Sequence, residues 1–244
     1  MKTPATGAGS LFATTHWSAV LAAGDPASPQ AAAALETLCR GYWYPLYAYV
    51  RRSGHSPQDA EDLTQEFFCR LLEKNSLAQA AHERGRFRSF LLTSLRNFLT
   101  NEYHRGARLK RGGGQSMISL DSTAAEDRYL AEPMDTATPE TLYEQRWALT
   151  LLENALARLR EEYAANGRGP LFDLLKERVW GERNATSYAD LAAQLDLTEE
   201  AVKKAVQRLR QGYRAKLRAE IAHTVSTVAE IEEELQYLAR LLRR

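Results

Sequence analysis

Three clusters of side chains in this chain are typed and spaced to do chemistry, and the chemistry is recognition rather than catalysis. Asp59, Glu61, Asp62, Gln65 and Glu66 fall close together. On a helix, residues four apart share a face, so Asp62 and Glu66 would present together while Leu63 and Phe67 turn inwards. Such a face suits reversible, electrostatically steered association with a cationic partner. Arg86, Arg88, Arg96, Asn97, Asn101, Arg105 and Arg108 are interleaved with Phe87, Phe90 and Phe98. Guanidiniums neutralise phosphates, and aromatic or guanidinium planes stack on unpaired bases. Thr198, Glu200, Lys203, Lys204, Gln207 and Arg208 form a third, polar cluster. The net charge of +1 hides these blocks. Residues 84–111 hold eight Arg/Lys against one acid, Glu102, whereas residues 59–73 hold five acids against Arg70 alone. Residues 203–218 hold seven Arg/Lys and no acid. The blocks, not the mean, decide which partners are attracted.

Catalytic patterns do not emerge. His16, His55, His82, His104 and His223 are scattered, with no HExxH spacing, serine elbow or phosphate-binding loop around them. Gly112–Gly114 follows a basic helix rather than a strand, so it is no nucleotide fingerprint. Cys39 and Cys69 have no second Cys or His at ligand spacing and are expected to be reduced, buried thiols. A helix-turn-helix enzyme such as a recombinase would need a nucleophile and a carboxylate or arginine cluster elsewhere, and nothing marks one. The expectation is therefore a non-enzyme with no cofactor and no metal. No signal-peptide core opens the chain and no run is long enough for a bilayer, so a cytoplasmic protein without membrane insertion is expected.

The elements that must position the three clusters are helices. Residues 1–10 read as a leader, and Thr14 or Thr15 caps a short helix bearing Trp17, Val20 and Leu21. A helix from about Pro29 to Arg52 carries Leu35, Leu38, Cys39, Tyr42, Leu46 and Val50 at helical spacing, with Pro45 as a potential kink. Ser56-Pro57, with Asp59 three residues on, starts the acidic helix in the manner of a capping box. It runs to about Lys74 and buries Leu63, Phe67 and Leu71. After a connector at 75–85, a basic helix spans Arg86 to Arg108, with Phe87, Leu91, Leu95, Phe98 and Leu99 inward. Phe90 reads equally as a stacking platform or as core. Gly112–Gly114 opens a segment rich in Ser, Thr, Asp and Glu, read as a flexible acidic linker. Helices follow from Thr138-Pro139 to about Tyr163 and from Pro170 to Trp180. Ser187–Leu195, the Asp196-Leu197 turn, and a long helix from Glu199 capped by Thr198 make a short-helix, turn, long-basic-helix arrangement. The last segment is amphipathic, with Ile231, Leu235, Leu238 and Leu242 on one stripe, and is expected to pack back on the protein. The fold class is thus all-α. It comprises an N-terminal helical domain (11–111), a linker (112–138), a helix-turn-helix domain (139–222) and a C-terminal amphipathic helix (223–244).

Asp59 to Phe68 closely resembles the acidic helix of bacterial RNA polymerase sigma factors of the extracytoplasmic-function group, in the sigma-70 family. Phe90-Leu91, Arg96-Asn97, Asn101 and Arg105 match the spacing of that family's promoter-melting helix, and Ser187–Leu217 resembles its C-terminal helix-turn-helix. The resemblance implies a sigma domain two-like bundle and a sigma domain four-like module, with core RNA polymerase and promoter DNA as partners. Asp59, Glu61, Asp62, Gln65 and Glu66 would dock on a basic coiled coil of the polymerase clamp. Arg86, Arg88, Arg96, Asn97, Asn101, Arg105 and Arg108 would engage the minus-ten element and its displaced strand. Thr198, Glu200, Lys203, Lys204, Gln207 and Arg208 would read the minus-thirty-five element in the major groove. The family resemblance leaves room for an anti-sigma or other regulatory partner. Asp196 stands where the family often has Gly, and the helix after Ala222 is an addition to the family pattern. The alternative is a helix-turn-helix regulator that does not recruit polymerase. The acidic helix argues against it, because five acidic or amide groups beside a DNA surface serve no mere DNA binder.

Overall fold

The computed structural model describes residues 29–73, 86–106, 122–131, 138–181, 186–225 and 227–242. The short helix with Trp17, Val20 and Leu21, the connector at 75–85, Arg108, the glycine run and most of the linker lie outside them, as do the side chains of Leu35, Leu38, Cys39 and Arg105. The described residues contain helices and no strand, in agreement with the all-α reading.

Helix α1 (Pro29–Arg52) is the centre of the first unit. From Tyr42 to Val50 every side chain is buried. The sequence pattern placed only Tyr42, Leu46 and Val50 on an inner stripe. Trp43, Tyr44, Tyr47 and Tyr49 are buried as well because other elements cover the remaining faces. The helix runs through Pro45 without ending. Gly54, at φ +98°, makes the turn that follows, a left-handed conformation open to glycine. Ser56 then caps α2 (Pro57–Glu73), its Oγ accepting from the Asp59 amide at 3.1 Å. Helix α3 (Phe87–Gly106) buries Phe87, Leu91, Leu95 and Phe98 as its pattern predicts.

The linker differs from expectation. Residues Ser122–Ala131 form a helix, α4. Its Glu126 accepts from the Tyr47 hydroxyl at 2.5 Å and from Arg51 at 2.8 and 2.9 Å. Arg128 lies over the Tyr44 ring and Tyr129 under the Arg51 guanidinium. Ten residues with these modest helix formers would be marginal alone. Tertiary contacts with α1 hold them.

Helix α5 (Pro139–Ala165) is followed by α6 (Gly169–Leu175), a 3-10 turn (Lys176–Val179), α7 (Tyr188–Leu195), α8 (Glu199–Ala222) and α9 (Val228–Leu241). The chain divides into two compact units. One comprises residues up to Thr150 together with Ala222–Arg244, the other Leu151–Ile221. The division falls inside α5, not at its start, because Tyr143 and Trp147 are core residues of the first unit. Trp147 Nε1 donates to the Tyr42 hydroxyl at 3.1 Å, and the Tyr143 hydroxyl donates to the Arg88 carbonyl at 2.9 Å. Burial raises both phenols far above their ordinary range, so they persist as hydroxyls.

The second unit is built on Leu152, Ala155, Leu159, Phe172, Leu175, Leu191, Val202, Val206 and Leu209. The helical spacing of these residues in α5, α7 and α8 makes one shared core.

Candidate nucleic-acid interface and acidic docking face

On α2 the buried line is Ala60, Thr64, Phe67, Phe68 and Leu71. Leu63, expected inside, is only half-buried. It lies at the edge of a stripe whose centre is the polar Thr64. Thr64 satisfies its hydroxyl on the Ala60 carbonyl at 2.7 Å, which lets a polar residue sit in the core. The opposite face carries the acids. Asp59, Asp62 and Glu66 are exposed, and Glu61 and Gln65 are half-buried and bonded to each other at 3.1 Å. Glu66 also meets Arg70 one turn on. Arg70 in turn reaches Glu102 of α3 at 2.6 Å and lies 5.0 Å from the Phe98 ring centre. That arginine therefore fixes the acidic face of α2 to α3 in one body.

The basic cluster of α3 splits in two. Arg96, Asn97 and Asn101 are exposed together with Thr93, Thr100, Tyr103 and His104, on the side away from Leu91 and Leu95. Arg96 has only a loose approach to Glu140, at 4.0 Å. Tyr103, absent from the cluster that the sequence picks out, is 79% exposed, and its position carries a signal for this. It lies five residues past Phe98, about 140° round the helix from it, off the apolar stripe. Phe90, whose pattern fits core and stacking equally, is half-buried and packs on Phe87 with ring centres 6.3 Å apart.

Arg86 and Arg88 are placed quite differently. Arg88 is buried, with Glu144 of α5 at 2.5 Å and Glu234 of α9 at 3.1 Å. Its guanidinium lies 4.8 Å from the Trp147 ring centre and 4.2 Å from that of Tyr237. Burial opposes its charge, but the two carboxylates outweigh that and hold its pKa above the ordinary value. Arg86 contacts Glu234 at 2.5 Å and Glu233 at 3.0 Å. The structure thus does not bring Arg86 and Arg88 to the same exposed surface as Arg96, Asn97 and Asn101. Their partners are 56 to 147 residues away in sequence, too far for spacing to reveal.

In the second unit Ser187 caps α7 by accepting from the Asp190 amide at 3.1 Å. Asp196 takes the left-handed conformation, φ 51°, that ends α7. A short polar residue tolerates this where glycine is the usual solution. Thr198 caps α8, accepting from the Ala201 amide at 3.2 Å. Glu200, Lys203, Lys204, Gln207 and Arg208 are all exposed near the start of α8, while Val202, Val206 and Leu209 face the core. Lys203 approaches Glu199 at 3.6 Å. Buried Arg178 sits 4.2 Å from the Tyr188 ring centre and its carbonyl accepts from Arg210 at 2.8 Å, tying the segment before α7 to α8. Among the described residues no group of His, Cys, Asp and Glu could hold a metal ion.

Residues 42–109 match the family model of sigma-70 region 2. Over these residues the chain is similar to sigma-70 region 2, a likeness that supports the sigma-70 resemblance. Region 2 binds core RNA polymerase and promoter DNA, and acts in promoter recognition and transcription initiation. The family is in general not enzymatic. The match covers α2, α3 and the buried part of α1, and thus both the acidic face and the exposed polar face of α3. No curated protein and no solved structure matches the chain. No described helix is long and apolar enough to cross a membrane.

Proposed function

We propose that the chain is a sigma factor of the extracytoplasmic-function group, which docks on core polymerase through α2 and opens promoter DNA along α3. The observation that carries this reading is the rigid juxtaposition within the sigma-70 region. Asp62 and Glu66 stand in solvent on α2, and the Arg70–Glu102 tie binds that helix to the one presenting Arg96, Asn97, Asn101 and Tyr103. Asp59, Glu61, Asp62, Gln65 and Glu66 meet a basic coiled coil of the polymerase clamp. Arg96, Asn97 and Asn101 meet the minus-ten element, and the Tyr103 ring receives an unstacked base. The exposed Thr198, Glu200, Lys203, Lys204, Gln207 and Arg208 supply a second anchor, in the major groove at the minus-thirty-five element. Two modest DNA contacts on one chain raise avidity without new chemistry.

The test is reconstitution with core polymerase and mapping of transcription starts. The unaltered protein is expected to select discrete starts, and Asp62→Lys with Glu66→Lys to lose both polymerase capture and selection. Duplex DNA binding without start selection by the unaltered protein would instead favour a regulator that does not recruit polymerase.

A further inference from the structure

The tie between α9 and the start of α3 has a use that the sigma-70 reading does not supply. Arg86 and Arg88 stand at the N-terminal end of the helix whose exposed face meets promoter DNA. Together they offer two positive charges. Three carboxylates, Glu144 of α5 and Glu233 and Glu234 of α9, close on them, so the cluster carries a net charge of −1 (2 − 3) where it would carry +1 (2 − 1) without α9. Glu234 is 1% exposed and bridges both guanidiniums, its Oε1 to Arg86 and its Oε2 to Arg88. The helix that brings it is built to dock. Thr227 and Glu230 form a reciprocal capping box at its start. Ile231 and Leu238 are buried, and Tyr237 covers the Arg88 guanidinium.

We infer that α9 is an intramolecular stand-in for nucleic acid. Its carboxylates close on Arg86 and, together with Glu144 of α5, on Arg88, and DNA phosphates compete with the tail for these guanidiniums. This rests on α3 being the DNA-facing helix. The contact has two tiers. The Arg86–Glu233 pair is partly in solvent and weakly held, the kind of tie a polyanion displaces first. The buried Arg88–Glu234 pair sets the register and makes release a two-state event rather than a gradual loosening.

The experiment uses the full chain and a mixed-sequence single-stranded DNA 25-mer, with affinity measured against salt. Glu233→Gln with Glu234→Gln is expected to bind about tenfold more tightly at low salt. The slope of log affinity against log salt should steepen by about 0.7 for Arg86, whose carboxylate partners Glu233 and Glu234 are both removed, with Arg88 still held by Glu144. A folded double variant that binds no more tightly overturns the inference, as does failure of every form to bind. Should the double variant not fold, the unaltered protein decides. Saturating DNA is expected to speed amide exchange across residues 228–241 while α2 keeps its protection, and an α9 equally protected with and without DNA overturns the inference. Start-site selection by the unaltered chain with core polymerase is read separately. Its loss would sink the sigma-factor reading, whereas normal selection with an unresponsive tail would sink only the tail mechanism.

Discussion

Tyr103 is an aromatic ring left in water on a helix whose buried aromatics, Phe87 and Phe98, are core. Its ring meets that of His104 edge-on at 5.9 Å, and the proposed role for it is in binding rather than in stability. Tyr103→Ala is expected to weaken capture of single-stranded promoter DNA by about 1–3 kcal/mol. The same change should leave the urea midpoint within about 0.5 kcal/mol of the unaltered protein, as for surface positions in general. Equal losses in both measurements would mean that Tyr103 is a packing residue. Residue identities along α3 were legible from the sequence, but their roles only partly so. Asn97 and Asn101 reach solvent as their spacing off the apolar stripe requires. Arg88 is of the same type as Arg96, yet its environment is fixed by Glu144, Trp147, Glu234 and Tyr237, which no local pattern could supply.

Among the elements, α7 and α8 were readable because their ends are encoded locally. Ser187, Asp196 and Thr198 act on backbone groups within a few residues of themselves. Helix α4 was not readable, since its Ser, Thr, Ala, Asp and Glu resemble a solvated linker until Tyr47 and Arg51 of α1 meet Glu126. That contact should be sensitive to acid. Hydrogen bonding from Arg51, helped by Tyr47, holds the Glu126 carboxyl below its ordinary value of 4.5. A depressed folded pKa contributes stability that is present above the unfolded value and lost as pH falls through the folded one. Amide protection of residues 124–131 is therefore expected to fall on acidification below that ordinary value, while neutral and mildly alkaline solutions leave it unchanged. Glu126→Gln should be less protected at pH 7 and flatter with pH. A steep acid response in the variant would place the titrating group elsewhere.

At the scale of the whole molecule, the two units have separate cores, so damage to one should not spread at full strength to the other. Leu209→Ala opens a cavity in the second unit and Leu91→Ala one in the first, each at a cost of about 2–5 kcal/mol. Calorimetry is expected to show that each lowers a different transition, since two-state behaviour does not extend across independent cores. A single transition moved equally by both changes would mean that the units unfold together. The sequence suggested two helical modules from the change in composition after Gly112. It did not suggest that the first half of α5 and all of α9 join the earlier module, because the partners that recruit them, Tyr42 and Arg88, lie far back in the chain.

That arrangement has a consequence for synthesis. The first unit takes α9 from the far side of the second, across 146 residues between Arg88 and Glu234. A ribosome therefore delivers the whole of Leu151–Ile221 before the last helix of the first unit emerges. The module that begins earliest is finished last, and a nascent chain passes through an interval in which Arg86 and Arg88 have yet to meet Glu234. During that interval the growing polypeptide is more cationic at α3 than the mature protein, because Glu144 is the one carboxylate of the cluster already made.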